Sequence, residues 1–193
     1  EKTAKLFYLK YKLENSQEFI LVATTRPETI FGDTAVAVNP NDNRYKKLVG
    51  KKLIVPLVNR VVPIVGDKSV DSEFGTGCLK VTPAHSEKDF EIGLRNNLDI
   101  IDIFNDDASL NGYGLHYKSL DRFAVRKKII NELDEKGLLD KAEDYTHNIA
   151  LSERTSCVVE PKLSTQWFVR MKKLSKPALD LVLNGDIQFY PKK

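Results

Sequence analysis

Sulfur is scarce in this chain. Its 193 residues include two cysteines, Cys78 and Cys157, and one methionine, Met171. Two distant cysteines exclude a disulfide framework and favour a reducing, cytoplasmic setting. No apolar run is long enough to span a bilayer, and no signal peptide opens the chain, so no membrane partner is expected. An excess of one charge is also missing. Thirty Lys and Arg stand against 27 Asp and Glu, a net charge of +3. No global field therefore advertises a nucleic-acid partner, although a local patch could still meet a polyanion. There is no internal repeat and no low-complexity tract. The chain does not begin with Met, as expected of a piece of something larger. The remainder is an ordinary globular mix, 41% hydrophobic and 30% charged, long enough for one domain with a full core and small appendages.

Short strands dominate the pattern. Residues 6–13 alternate and 19–23 are apolar, with the polar stretch Glu14-Asn15-Ser16-Gln17 between them, which predicts a hairpin. Residues 34–38, "TAVAV", form another strand closed by Asn39-Pro40. Residues 42–49 read as a short helix stopped by Gly50. Residues 53–55 and 61–65 are short, Pro-punctuated strands. Phe74-Gly75-Thr76-Gly77 is a turn and 78–82 the strand that leaves it. A helix is expected over 86–97, with Ser86 as N-cap, then a strand over 99–104. Residues 121–136 are the most helical segment, ended by Gly137. From Ser164 the spacing is again helical, but Trp167, Phe168 and Met171 have little core to join. The fold class expected is mostly β within α+β: an irregular closed or nearly closed barrel with peripheral helices over 1–163, then a helical tail over 164–193.

Three clusters could carry chemistry, and each has a plain structural reading beside it. In Thr24-Thr25-Arg26-Pro27-Glu28-Thr29, Pro27 biases Arg26 toward extended backbone, so Thr24 and Arg26 would share a face. The spacing alone favours a strand end and a turn. In the stretch from Gly75 to His85, alternation puts Leu79 and Val81 on one face and Cys78, Lys80 and Thr82 on the other. An inward Lys80 could hold a carbonyl or a phosphate, but a charged strand residue ordinarily faces solvent. In His85-Ser86-Glu87-Lys88-Asp89, Ser86 and Asp89 match a capping box, and an acid in the first turn suits the helix dipole. His85 has no partners at metal-ligand spacing. There is no nucleophile elbow and no supported Cys-His pair, so a hydrolase built from these residues would use a positioned water.

Together, "ATTRPETIFGDTAVAVNP", "FGTGCLKVTPAHSEKDFEIGLRNNL" and "VVEPKLSTQWFVRM" closely resemble the editing domain inserted in the catalytic domain of valyl-tRNA synthetases, a class I synthetase family. The resemblance covers nearly the whole chain. Leucine enzymes also have the Thr-Thr-Arg-Pro elbow, but "GDTAVAVNP" and "LSTQWFV" look like the valine enzyme. Isoleucine enzymes typically have Trp where Arg26 stands. A valine site rejects isosteric threonine poorly, and the valine enzymes are the known example of that difficulty, which a second, editing pocket remedies. Such a pocket would bond the threonine hydroxyl and leave valine facing unpaired polar groups.

The resemblance implies a deacylase that hydrolyses the ester of Thr-tRNA(Val). Asp89, Lys80 and Thr24 would be its catalytic residues, with Asp89 receiving the substrate's α-ammonium. Thr25, Arg26, Thr29, Thr82, His85 and Ser86 would bind substrate. Its partners would be the threonine-bearing 3′ end of tRNA(Val) and the parent's catalytic domain, against which the tail would pack. No cofactor is expected in these residues; ATP and Mg2+ would serve the parent's ligase site. The family commonly has Asp after the His of "TPAH", where this chain has Ser86, so any part played there falls to a hydroxyl and not to a carboxylate. Some relatives carry paired cysteines in the connective region. Cys157 has no such partner, so no zinc is expected. An editing domain of a leucyl- or isoleucyl-tRNA synthetase, or a barrel that grips the tRNA end without catalysis, are the alternatives.

Overall fold

The computed structural model describes residues 2–191. Glu1, Lys192 and Lys193, which belong to the ends of the two expected units, lie outside the described residues. The chain divides into two compact units, Glu1–Leu163 and Ser164–Lys193.

The first unit is built on one seven-stranded sheet. Strands β1 (Lys2–Leu13) and β2 (Phe19–Thr24) form the expected antiparallel hairpin, in register from Phe7 opposite Thr24 to Lys12 opposite Phe19. Asn15 turns it with φ +59°, a conformation Asn tolerates. Next come β3 (Ala35–Val38), β4 (Lys52–Ile54), β5 (Val61–Gly66), β6 (Cys78–Val81) and β7 (Leu139–His147). The spatial order is β2-β1-β4-β5-β3-β6, with β7 pairing β1 as well. The two ends of this order, β2 and β6, pack against each other. Among the described residues no ladder joins them, so the barrel is nearly closed, with a seam between β2 and β6. The mostly β, barrel-like fold is the one expected.

The apolar residues of the strands fill the barrel. Leu9, Tyr11, Val22, Phe31, Leu53 and Ile64 form one cluster with Val125, Ile129 and Leu133 of helix α2 (Arg122–Glu135). A smaller cluster of Ala35, Ala37, Val70 and Val81 lies under Ile92 of helix α1 (Glu87–Arg95). Both helices are capped, α1 by Ser86 as expected and α2 by Asp121. Ser86 Oγ accepts the Asp89 N–H, and the Asp121 carboxylate accepts those of Phe123 and Ala124.

A 3-10 turn, Pro27–Gly32, is wholly buried and packs on α2. Gly32 is needed there. A Cβ on it would stand 2.9 Å from Thr82 Cγ2 and 3.0 Å from the Ile101 carbonyl. Arg60 fixes the end of the turn by donating to the Phe31 and Asp33 carbonyls at 3.0 and 2.9 Å.

Two expectations are corrected, and one strand was missed. Residues 42–49 are a series of turns, not a helix. The Asp42 carboxylate accepts the Arg44 amide and Leu48 N–H closes on Tyr45, as Asn- and Asp-rich stretches favour. Residues 99–104 are not a strand; only Phe104 bridges, to Leu110. Side chains take the ladder's place there. Ile103 N–H donates to His85 and Phe104 N–H to the Asp102 carboxylate, while the Asp102 carbonyl accepts from Asn111 Nδ2. Finally, β7 was not anticipated.

In the second unit, helical structure starts only at α3 (Met171–Leu183), with Pro177 inside it. None of the α3 residues is buried, and Trp167 and Phe168 are exposed. Among the described residues no helix is long and apolar enough to cross a membrane.

Candidate active site

A pocket of about 320 Å³ opens at the seam. All nine residues singled out from the sequence line it. Thr24 ends β2, and Thr25, Arg26 and Thr29 belong to the elbow that follows. Lys80 lies on β6, while Thr82, His85, Ser86 and Asp89 continue into α1. The wall also includes residues outside those nine: Leu6 of β1, Phe74, Leu79, which alternation had put on the face opposite Lys80, Tyr145 and His147 of β7, and Asn148.

The elbow is shaped by its own hydroxyls. Thr24 Oγ1 accepts the Arg26 N–H at 3.0 Å, and Thr29 Oγ1 donates to the Arg26 carbonyl at 2.9 Å. The Arg26 guanidinium has three partners: Glu28, 3.5 Å from Nε, the His85 carbonyl, 3.1 Å from Nη1, and Glu160, bonded to Nη2.

Lys80 does not face solvent. It is 6% exposed, and its Nζ lies 2.8 Å from Asp33 Oδ1 and 2.5 Å from Thr82 Oγ1. The reason is Asp33, a fully buried carboxylate that sequence reasoning left without a role. Asp33 also accepts the Tyr11 hydroxyl at 2.6 Å and the Thr82 hydroxyl at 2.7 Å. Burial, with the Asp33 charge second, holds the Tyr11 phenol well above its ordinary pKa, so it stays a donor. A buried ammonium is tolerated where a carboxylate compensates it and hydrogen bonds satisfy both. The visible signal for Asp33 was an acid directly before the buried run "TAVAV".

Asp89 is both cap-region acid and pocket wall. Its N–H is capped by Ser86 Oγ at 3.3 Å. Its carboxylate bonds the Thr82 N–H at 2.9 Å, across the loop that joins β6 to α1. Burial raises its pKa, partly offset by the nearby Lys80 charge. Thr82 thus joins the two charges, with its amide on Asp89 and its hydroxyl in the Lys80–Asp33 pair.

His85 lines the pocket but is pinned from behind. Its Nε2 accepts the Ile103 N–H at 3.1 Å, which leaves the proton on Nδ1, and the ring lies 4.7 Å from Phe104 edge-on. Burial lowers its pKa to about 4, so the ring is neutral near pH 7. Burial likewise pushes the Cys78 thiol up to about 11, which removes it as a nucleophile. Among the described residues no three or more His, Cys, Asp or Glu cluster as a metal site. The arrangement offers a buried cation, a buried anion and hydroxyls around a space of aminoacyl size, which suits a positioned water.

No family model matches the chain. A solved structure does: the LeuRS of Agrobacterium radiobacter K84, in a ternary complex with tRNA and LeuAMS. The match has a TM-score of 0.60 at 20% identity, over 74% of this chain and 20% of that one. The nearly closed barrel with few helices is therefore the class I synthetase editing-domain fold. Sequence relatives narrow the class. The valine–tRNA ligases of Christiangramia forsetii and Thermotoga maritima are 56% and 54% identical over 193 residues, which is all of this chain and 22% of each of those proteins. The chain corresponds to a segment of valine–tRNA ligases, and spans about 22% of the length of the relatives it matches.

Proposed function

We propose that this segment edits within a valine–tRNA ligase, hydrolysing the ester of tRNA(Val) mischarged with threonine. One observation carries the reading: a buried ammonium, Lys80, and a buried carboxylate, Asp89, share one pocket and are joined through Thr82. The Asp89 carboxylate would bind the α-ammonium of the aminoacyl group. The Lys80 ammonium has three N–H donors and spends two on Asp33 and Thr82. The third would serve the ester oxygen as negative charge develops there. The threonine hydroxyl would bond the donor and acceptor sites that the elbow hydroxyls have left after holding the Arg26 backbone, and valine would bury those sites without a partner.

Water would be the nucleophile, held between the substrate's ribose hydroxyl and these groups. It would add to the ester carbonyl, the bond from that carbon to the ribose oxygen would break, and the ribose oxygen would leave as a hydroxyl with the water's proton. Thr24, Thr25 and Arg26 would hold the tRNA 3′ end at the mouth. The parent's catalytic domain would use ATP and Mg2+ elsewhere, and α3 with the residues around Trp167 would pack on it. A cytoplasmic setting follows from this reading.

The test is release of free threonine from Thr-tRNA(Val) beside release of valine from Val-tRNA(Val). Threonine should be released about five- to 150-fold faster, because an unpaired buried polar group costs about 1–3 kcal/mol. Equal rates would overturn the sieve, and no release of either from folded protein would favour a binding module.

A further inference from the structure

Five charged side chains make a ring behind the pocket. Arg126 of α2 holds Glu28 with two bonds, Nε to Oε2 at 2.8 Å and Nη2 to Oε1 at 2.6 Å. Glu28, which is fully buried, lies 3.5 Å from Arg26 Nε. Arg26 bonds Glu160, and Glu160 lies 3.3 Å from Arg122 Nε. Arg122 also donates to the Val158 carbonyl at 3.0 Å. Arg122 and Arg126 are four residues apart, on one face of α2, so the helix closes the ring.

The ring bears on one pocket residue. A guanidinium has five N–H donors in a rigid fork. Arg26 spends three, on Glu28, the His85 carbonyl and Glu160, which leaves one on each terminal nitrogen for oxygens of a ligand. A long side chain held in place before binding loses less entropy when the ligand arrives. The anchors come from outside the motifs that line the pocket, one from α2 and one from residue 160.

We propose that Glu160, and Arg126 acting through Glu28, are positioning residues for Arg26, so that α2 and the segment around residue 160 set how tightly the pocket binds the aminoacyl end of tRNA. This rests on the editing reading above. The experiment uses a full-length valine–tRNA ligase with this segment, Thr-tRNA(Val) as substrate, and a double-mutant cycle of Glu160→Gln with Arg26→Ala. KM and kcat are read in multiple turnover, residual rates in single turnover, and melting temperature for every variant.

Coupled neighbours usually interact enough to give several-fold effects, so Glu160→Gln should raise KM roughly five- to tenfold with kcat little changed. In the Arg26→Ala background it should do nothing further. A merely structural role would give the same loss in both backgrounds, and that result, or an unchanged KM, overturns the inference. Should Glu160→Gln fail to fold, Arg126→Lys enters the same cycle with the same expected and overturning outcomes, since it keeps the charge and loses the two-bond fit to Glu28. Wild-type protein that releases no threonine overturns the editing reading and this inference with it. Wild-type release with an additive cycle overturns the inference alone.

Discussion

Asp33 and Asp89 are both buried carboxylates, yet their substitution should fail in different ways. Asp33 holds Lys80, Thr82 and Tyr11 together. Asp33→Ala would leave the Lys80 ammonium buried without a counter-charge, and breaking such a pair from one side costs about 3–5 kcal/mol. Denaturant unfolding should show that loss. The double variant Asp33→Asn with Lys80→Met removes both charges and should recover much of the stability while editing stays lost. A double variant as unstable as Asp33→Ala would mean that the charge pair is not what matters. Asp89 is different because its charge should serve the substrate. Asp89→Asn keeps an oxygen for the Thr82 N–H and loses the charge, so it should lower kcat/KM by the equivalent of about 2–5 kcal/mol with little change in melting temperature. Asp89→Ala should add a stability cost of about 1–3 kcal/mol by orphaning that buried amide. An active Asp89→Asn would leave the Asp89 side chain the purely structural part of bonding the Thr82 N–H.

At the scale of elements, the 85–89 corner makes stability depend on pH. The folded protein holds the His85 pKa at about 4, against an ordinary value of 6.5, because burial disfavours the cation. Between these values the unfolded chain binds a proton that the folded one does not. The stability His85 contributes is therefore present above about pH 6.5 and is lost as pH falls toward about 4. Asp67, held down to about 2 by Arg95, loses its contribution only in a lower window, below its ordinary 3.8. Melting temperatures taken between pH 7.5 and 4.5 should fall less steeply in His85→Asn than in wild type. An unchanged slope would exclude His85 as the group responsible. The sequence made α1, α2 and the β1–β2 hairpin legible because caps, period and turn residues agree there. It concealed β7, "LDKAEDYTH", whose Lys, Glu and Asp are poor strand formers and whose surface is mostly exposed. Pairing along β1, from Lys2 to Leu9, makes it a strand. The nine pocket residues were readable from motif resemblance, whereas the β7 wall and Arg126 depend on long-range contacts, and Asp33 and Glu160, although inside the quoted motifs, take their roles from partners distant in sequence.

For the molecule as a whole, the balance of charge decides how the segment would behave alone. Affinity for a tRNA body scales with the number of phosphates neutralised. A net charge of +3 leaves few cations for that work, and several are already spent, since Arg26, Arg122 and Arg126 are bound to Glu28 and Glu160. The relatives are more than four times longer, and their remaining length would supply other grips on the tRNA and raise the effective concentration of the 3′ end at the pocket. The pocket, by contrast, lies wholly among residues of the first unit. The 193-residue chain should therefore deacylate Thr-tRNA(Val) with KM well above that of the full-length ligase and with kcat near it once saturated. Parallel saturation curves of the two proteins check this. Equal KM values would mean that the barrel alone holds the tRNA, and kcat lost even at saturation would mean that the rest of the ligase completes the pocket.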